Sequence, residues 1–434
     1  MEIEIANEVK IMNLKSLTGV KDGIKDGDIP DWLLLEVLVR LPQKVVFRFK
    51  LVSKQWLSFI LDPSFIKIYC SRALSLQMLQ PWTFVSTITY FNGFERMNIP
   101  DCELLVDIYS SKWPSFYALS LPRLHETGNS IYVIYEVSNG LVLYGVHNES
   151  TEKGIWEIAN YRICNPVTGQ WISLPPHNSR QNSVSWGFMT NVEDGILMRY
   201  SVVRLYVSDA NQSKFVRCEV FLSEVGEWKT YIVPIYVPIE IVVYRSSAIL
   251  NGVMHSMLSE HGLIAYDPHK HPDHVRVIAL PGDQIFCPFF HICAAYQGKL
   301  RYFRVSGKSE DWKMFQSFDI WVLNDYSSCD WCLQHRVCYI DVQISTVLSG
   351  QNLARILPIS FHPYDTDIVY LGYETMIISY NIKTRKLEVL EDFRQVRDIK
   401  CDWLICDWLR VRLLLIPPWP ISLSRPIFEL QKIS

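Results

Sequence analysis

The chain has 434 residues, of which 49% are hydrophobic and 20% are charged, and its formal net charge is −3. This balance predicts a globular protein, because a disordered chain needs few apolar residues and a high net charge. It excludes a mainly electrostatic nucleic-acid binder, which would carry a marked excess of basic residues.

The beginning of the chain carries no signal for secretion, because residues 1–20 contain Glu2, Glu4 and Glu8 and lack an apolar core. No run of 18 apolar residues long enough to span a membrane occurs. The 11 cysteines are an odd number, so at least one thiol is unpaired. We therefore expect an intracellular protein of the reducing cytoplasm or nucleus, without membrane association.

Residues 28–76 carry a helical pattern, whereas the polar residues 1–27 are expected to be loosely ordered. A first helix is predicted to begin near Pro30 and to stop at Pro42, with Leu34, Val37, Leu38 and Leu41 on one face. A second helix is predicted at about 44–51. Ser53 is a typical N-cap of a third helix, and Asp62-Pro63 predicts the start of a fourth.

This helical segment has more large apolar side chains than so small a unit needs for a core. Some of them are expected to be buried against the rest of the chain or against a partner protein. Residues 29–72 contain seven Lys or Arg and three Asp or Glu, which favours an acidic partner.

Residues 29–65 resemble an F-box. The family pattern of Leu-Pro, an Ile-Leu pair, Leu-Pro, Arg-Phe, Val-Cys-Lys and Trp is matched in register, with Ile29, Val37 and Ser53 as mild departures. The resemblance implies docking to a Skp1-like protein, and through it to a cullin. The implied contact residues are Ile29, Pro30, Leu33, Leu34, Val37, Leu38, Leu41, Pro42, Val46, Phe49, Val52 and Trp56.

The division of these residues between interface and core stays open at this point. By the family's motif, the partner contacts are expected at Pro30, Leu34, Leu38, Leu41 and Pro42. The alternative role, packing in the small helical core, is assigned to Val37, Phe49, Val52 and Trp56.

From residue 80 to residue 434 the pattern changes to short runs rich in Val, Ile, Tyr and Trp, separated by turn residues. Turn centres recur near residues 112, 168, 226, 270, 327 and 384, mostly at intervals of about 57 residues. We therefore predict an all-β domain that folds as a six-bladed β-propeller, with Trp113, Trp171, Trp228 and Trp331 in blade packing. A pair of β-sandwiches is the alternative.

Short motifs in this region are similar to the F-box-associated domain of plant F-box proteins, which is related to kelch and galactose-oxidase propellers. They are Ser138-Asn139-Gly140-Leu141, Asn165-Pro166-Val167-Thr168-Gly169, Asn251-Gly252-Val253-Met254-His255 and His362-Pro363-Tyr364-Asp365. The expected architecture is thus a small helical domain followed by a propeller.

Motifs for catalysis or for a cofactor are absent from the sequence, and we expect no cofactor and no metal. Cys329 and Cys332, with His335 and Cys338 nearby, are the best candidates for zinc, but we interpret these cysteines as small buried hydrophobic residues. The histidines of segment 268–274 are assigned to an inter-strand turn.

The function that the two resemblances imply is that of a substrate-recognition adaptor in an SCF (Skp1–cullin–F-box) ubiquitin ligase. The F-box would dock Skp1, and the propeller would hold a target protein for ubiquitination and degradation. An F-box protein that binds Skp1 without directing degradation is one alternative. A propeller that binds a glycan or a small ligand, or acts as an enzyme, is another.

Overall fold

A computed structural model of the protein describes residues 31–41, 43–75, 82–85, 130–150, 155–176, 185–193, 196–206, 215–235, 247–257, 262–281, 291–307, 315–338, 343–344, 356–373, 376–392, 411–421 and 423. The chain divides into a helical unit (residues 1–80, 192–197 and 417–421) and a propeller unit (residues 81–191, 198–416 and 422–434). Segment 1–27, Ile29, Pro30 and Pro42 lie outside the described residues.

Four short helices form the described part of the helical unit, which confirms the sequence prediction. They are α1 (Asp31–Leu38), α2 (Gln43–Phe49), α3 (Lys54–Ile60) and α4 (Pro63–Ser75). The Ser53 side chain caps α3 by accepting a hydrogen bond of 3.2 Å from the Trp56 amide. Asp62 accepts one of 2.8 Å from the Ser64 amide at the start of α4. No helix in the described ranges is long and apolar enough to cross a membrane.

The described part of the propeller unit contains five sheets in which four consecutive strands pair in chain order. Blade 1 consists of β2 (Ser130–Ser138), β3 (Leu141–Ser150), β4 (Ile155–Cys164) and β5 (Trp171–Ser173). Blade 2 consists of β6 (Ser185–Glu193), β7 (Ile196–Tyr206), β8 (Phe215–Leu222) and β9 (Glu227–Pro234). Blade 3 consists of β10 (Ala248–Leu250), β11 (Val253–Met257), β12 (Leu263–Tyr266) and β13 (Val275–Ile278).

The last two blades differ at their outer edges. Blade 4 consists of β14 (His291–Tyr296), β15 (Lys299–Gly307), β16 (Phe315–Asp325) and β17 (Asp330–Cys338). Blade 5 consists of β19 (Leu357–Phe361), β20 (Ile368–Tyr373), β21 (Met376–Asn381) and β22 (Lys386–Asp392). A fifth strand, β18 (Gln343–Ile344), pairs in parallel with β22 and covers the edge of blade 5.

A sixth, two-stranded sheet joins distant parts of the chain. It consists of β1 (Trp82–Val85) and β23 (Arg412–Leu415), which pair antiparallel. Phe84 of β1 packs in one cluster with Tyr370 of blade 5. Leu414 of β23 packs in another with Val142 of blade 1. The two-stranded sheet therefore fills the place between the last blade and the first.

The prediction of six blades is wrong for the described residues, which form five. Five of the predicted turns, near residues 168, 226, 270, 327 and 384, connect the third and fourth strands of successive blades. The sixth, near residue 112, lies outside the described residues together with Trp113. Each of the five described turns marks one blade, so the sixth predicted blade depended on the turn near residue 112 alone. The β-sandwich alternative is also wrong.

The recurring turns have a common chemistry. Asn165 and Asp267 each end a third strand and accept hydrogen bonds from two amides of the turn, at distances between 2.9 and 3.2 Å. Asp325 and Asn381 begin the equivalent turns of blades 4 and 5 and accept one such bond each, at 2.8 and 2.9 Å. A short polar side chain stabilises a turn in this way because it mimics the backbone acceptor. This chemistry accounts for the Asn or Asp that recurs at the start of four of the five described turns.

Two tryptophans on outer strands connect neighbouring blades. The indole of Trp228 in blade 2 donates a hydrogen bond of 3.0 Å to the carbonyl of Pro175, which follows blade 1. Trp331 in blade 4 donates one of 2.8 Å to the carbonyl of Ala279, which follows blade 3. The expectation that these tryptophans pack between blades is confirmed.

His255, on β11, makes the stability of the propeller unit depend on pH. Its ring nitrogens lie 2.9 Å from the Tyr326 hydroxyl and 3.3 Å from the Ala248 carbonyl oxygen, and burial lowers the pKa of His255 to about 4. The unfolded chain binds a proton near pH 6.5, whereas the folded chain does so only near pH 4. The stabilisation that depends on neutral His255 is therefore fully present above pH 6.5. The free energy of unfolding falls by up to about 3 kcal/mol as the pH drops to 4.

We expect the difference in unfolding free energy between the wild-type chain and His255→Gln to change over this window. The glutamine keeps hydrogen-bonding capacity but does not titrate. Urea unfolding of both chains at pH 7, 5.5 and 4.5 measures this difference, and the subtraction removes the contributions of carboxylates. A difference that is the same at all three pH values would contradict the prediction.

Candidate functional site

The core of the helical unit is built from all four helices. Its fully or nearly fully buried members include Leu34 and Leu38 of α1, Val46 of α2, Ile60 of α3 and Phe65 of α4. A hydrogen bond of 3.0 Å from the Tyr69 hydroxyl to the Leu41 carbonyl oxygen ties α4 to the chain just beyond α1. This core fixes the orientation of α1 about its own axis.

Helix α1 has two apolar faces, of which only one is buried. Leu34, Leu35, Leu38 and Val39 lie on the buried face. At 100° per residue, Leu33 and Val37 lie on the opposite face and are 40% and 48% exposed, and Trp32, at the edge of the buried face beside Val39, is 53% exposed. We call these three residues the α1 apolar face. Exposed large side chains grouped in this way are typical of a surface that another protein covers.

A second group of exposed apolar residues lies on the α2–α3 connection and on α3. Leu51 and Val52 are both well exposed, and Leu57 and Leu61 are exposed one helical turn apart. The α2–α3 connection holds its shape through backbone bonds such as that of 3.1 Å from the Val52 amide to the Phe49 carbonyl. These side chains are therefore exposed on an ordered scaffold.

In the free chain, the burial of these residues differs from the expected division at Leu34, Leu38, Val37 and Val52. Leu34 and Leu38, expected at the interface, are 4% and 0% exposed, and Leu41 is half-buried. Val37 and Val52, offered for the core, are exposed. The other predicted contacts lie as follows: Leu33 exposed, Val46 buried, and Phe49 and Trp56 half-buried against each other with ring centroids 4.9 Å apart.

Sequence reasoning missed Trp32, Leu51, Leu57 and Leu61 as candidates. Six of the eight residues of α1 are apolar, so the hydrophobic period alone could not give the phase of the buried face. Glu36 could have indicated which face is exposed, because its carboxylate must face solvent and it lies on the same side of α1 as the α1 apolar face. The salt bridge of 2.6 Å from Glu36 to Arg40 is surface-exposed and contributes less than about 1 kcal/mol.

Within residues 32–41 and 45–73, whose side chains the structure describes, the charged side chains classed as exposed are all positive. They are Arg40, Arg48, Lys54 and Lys67. A protein that covers the α1 apolar face would gain in association rate from a negative rim.

The propeller unit has a central cavity of about 370 Å³, within the usual range for ligand sites. Its wall includes side chains from the innermost strands of all five blades and from β23. Polar groups at one end are Asn139, Tyr296 and His362. Burial lowers the pKa of His362, and its Nδ1 accepts hydrogen bonds from two backbone amides of its loop.

A buried ion pair crosses the cavity wall. The guanidinium Nε of Arg412 lies 3.6 Å from a carboxylate oxygen of Glu136, and both side chains are about 95% buried. The other Glu136 oxygen accepts a hydrogen bond of 2.9 Å from the Ser247 amide. Glu136 thereby links blade 1, the start of blade 3 and the last strand, and it holds the cavity wall in shape.

The residues considered for metal binding are not assembled into a site. Within the described parts of the chain, no three His, Cys, Asp or Glu side chains are placed to hold a metal ion. Cys332 and Cys338 are exposed, so their interpretation as buried hydrophobic residues is wrong, because β17 is an edge strand. His335 is engaged with the Tyr380 hydroxyl at 2.8 Å. His269, His271 and His274 lie in the β12–β13 turn, as predicted.

Comparisons with known proteins agree with both parts of this description. A family model described as an F-box domain matches residues 27–68, and one described as "F-box protein At3g26010-like, beta-propeller" matches residues 104–413. The chain is 26% identical to the F-box protein At3g26010 of Arabidopsis thaliana, over 92% of this chain and 91% of that protein. It is 25% identical to the putative F-box/kelch-repeat protein At1g15680 of the same plant, over 89% and 90%.

Similarity to solved structures is weaker. The β-propeller domain of the Trilobed protease from Pyrococcus furiosus aligns with a TM-score of 0.32 and 10% identity, over 62% of this chain and 72% of that chain. The assignment therefore depends on the family models and on the plant relatives.

Proposed function

We propose that this chain is a substrate-recognition subunit of an SCF-type ubiquitin ligase. The chain belongs to the family of plant F-box proteins with a C-terminal β-propeller. The helical unit would dock a Skp1-like protein, and a cullin through it. The propeller unit would hold the target protein.

The observation that carries the proposal is the α1 apolar face. Trp32, Leu33 and Val37 are exposed while the opposite face of the same helix is buried, so the orientation of α1 is fixed and the exposed side chains are presented in advance. A preorganised apolar patch loses little side-chain entropy when a partner covers it. Val52 and Leu57 extend the exposed apolar area on α3 and its N-terminal connection.

The chemistry that we propose is positioning without a covalent step on this chain. A substrate lysine held close to an activated ubiquitin reacts at an effective concentration far above that of the free proteins. The propeller's contribution is therefore rigidity and binding. We propose that targets bind at the end of the cavity marked by Asn139, Tyr296 and His362, where the turns between first and second strands converge.

The direct test is reconstitution of the full chain with a Skp1-like protein and a cullin. We expect a stoichiometric complex in size-exclusion chromatography that recruits the cullin only when the Skp1-like protein is present. A folded, monodisperse chain that does not bind the Skp1-like protein would overturn the proposal. Proteins bound to the propeller should gain ubiquitin when the full ligase is supplied, and bound proteins that remain unmodified would point to a non-degradative F-box protein.

A further inference from the structure

A tryptophan near the end of the chain is part of the core of the helical unit. Trp419 is 4% exposed and belongs to the same hydrophobic cluster as the α1–α4 residues. Its ring packs edge-on against Phe47 of α2 at 5.0 Å and against Phe65 and Tyr69 of α4 at 5.8 and 5.4 Å between centroids. Trp419 thus contacts two helices that are separated from it by about 350 residues of chain.

A cation completes this aromatic contact. The ammonium of Lys50 lies 4.2 Å from the centroid of Phe47 and 5.3 Å from that of Trp419. An ammonium over aromatic faces is attracted by the ring quadrupoles. Partial burial lowers the pKa of Lys50. Lys50 comes directly after α2, so the contact also fixes the start of the connection that bears Leu51 and Val52.

The segment around Trp419 is rich in proline and forms neither a helix nor a strand. Pro417, Pro418 and Pro420 have no amide hydrogen, so this segment offers few donors for a strand or a helix. Prolines also restrict the segment before it packs, which lowers the entropy lost on ordering. Trp419 is the residue of this segment that belongs to the buried cluster of the helical unit.

We propose that Trp419 is a positioning residue of the Skp1-docking surface, so that docking requires the C-terminal segment 417–421 as well as the N-terminal helices. This inference rests on the proposed function. Trp419 acts through α2, α4 and Lys50, which hold α1 and the α2–α3 connection in the orientation that exposes their apolar side chains. Because segment 417–421 lies after β23, only a chain that has been synthesised through all five described blades presents a competent docking surface.

Three variants of the full chain test this inference. We expect Trp419→Ala to bind a Skp1-like protein at least about 30-fold more weakly than the wild-type chain, and Trp419→Phe to remain within about threefold, because phenylalanine restores an edge-on ring. The matched control is Trp186→Ala, which removes a buried indole from the propeller unit and should leave the affinity within about twofold. Wild-type affinity of Trp419→Ala, or an equal loss in Trp186→Ala, would overturn the inference.

A second readout does not depend on Skp1. Hydrogen exchange of the α2 and α4 amides should become at least about tenfold faster in Trp419→Ala, while exchange in blades 3 and 4 should be unchanged. Unchanged exchange in α2 and α4 would overturn the inference even if binding were lost. If the wild-type chain binds no Skp1-like protein but the exchange result holds, the proposed function fails and Trp419 retains only its role in the helical core.

Discussion

Replacing Val37 by aspartate is expected to weaken binding to a Skp1-like protein by about 100-fold, or about 2.7 kcal/mol, and to leave the fold intact. Val37 belongs to the α1 apolar face and is 48% exposed, so a carboxylate at this position stays hydrated in the free chain. In the complex the same carboxylate would be buried without a partner, which is costly. Titration calorimetry with the purified Skp1-like protein measures the change.

Two further variants make this result specific. Leu38→Asp should lose binding for a different reason, because Leu38 is completely buried and a charge there unfolds the helical unit. Ile232→Asp introduces the same charge at a position of β9 that is 60% exposed, and it should bind like the wild-type chain. If Val37→Asp retains wild-type affinity, the α1 apolar face is not the docking surface.

Removal of the Glu219 carboxylate is expected to destabilise the propeller unit by about 3–5 kcal/mol. Arg204 and Glu219 face each other across β7 and β8, with 2.6 Å between guanidinium and carboxylate and side chains that are 0% and 4% exposed. The Tyr206 hydroxyl donates a second bond of 2.7 Å to Glu219. Glu219→Ala leaves the Arg204 cation buried without its counter-ion, and urea unfolding followed by circular dichroism measures the loss.

Blade 2 supplies the matched control for this prediction. Arg199 and Glu224 form a second Arg–Glu pair of the blade, but their separation is 3.8 Å and both side chains are about half exposed. Glu224→Ala should therefore cost less than about 1 kcal/mol. The double variant Arg204→Met with Glu219→Leu should recover much of the stability, because it leaves no unpaired charge. Equal effects of Glu219→Ala and Glu224→Ala would show that burial of the pair does not matter.

Local sequence signals predicted the elements of this protein well. Ser53 and Asp62 marked the starts of α3 and α4, and the capping bonds that they make are those that the sequence predicts. Asn165 and Asp267 marked hairpin turns that recur from blade to blade. Each of these signals works because the donor and the acceptor are only two or three residues apart.

The location of the proposed docking surface was only half predictable. The sequence indicated that the helical segment 28–76 has more apolar side chains than its core can use, and Trp32, Leu33 and Val37 are indeed exposed. The sequence could not decide whether Leu34 and Leu38, or instead Val37, stay exposed, because both faces of α1 are apolar. Only the position of α2–α4 determines which face is covered.

The sequence by itself therefore determined the helices, the strands, the repeat of the turns and the family, since all of these depend on residues that are close together or on motifs in register. The tertiary structure alone decided three things: which apolar residues stay exposed, how many blades form, and that Trp419 belongs to the helical core. Each of these depends on contacts between residues far apart in the chain. Such contacts depend on how the helices and strands pack against one another after they have formed, and no short pattern of residues specifies that packing.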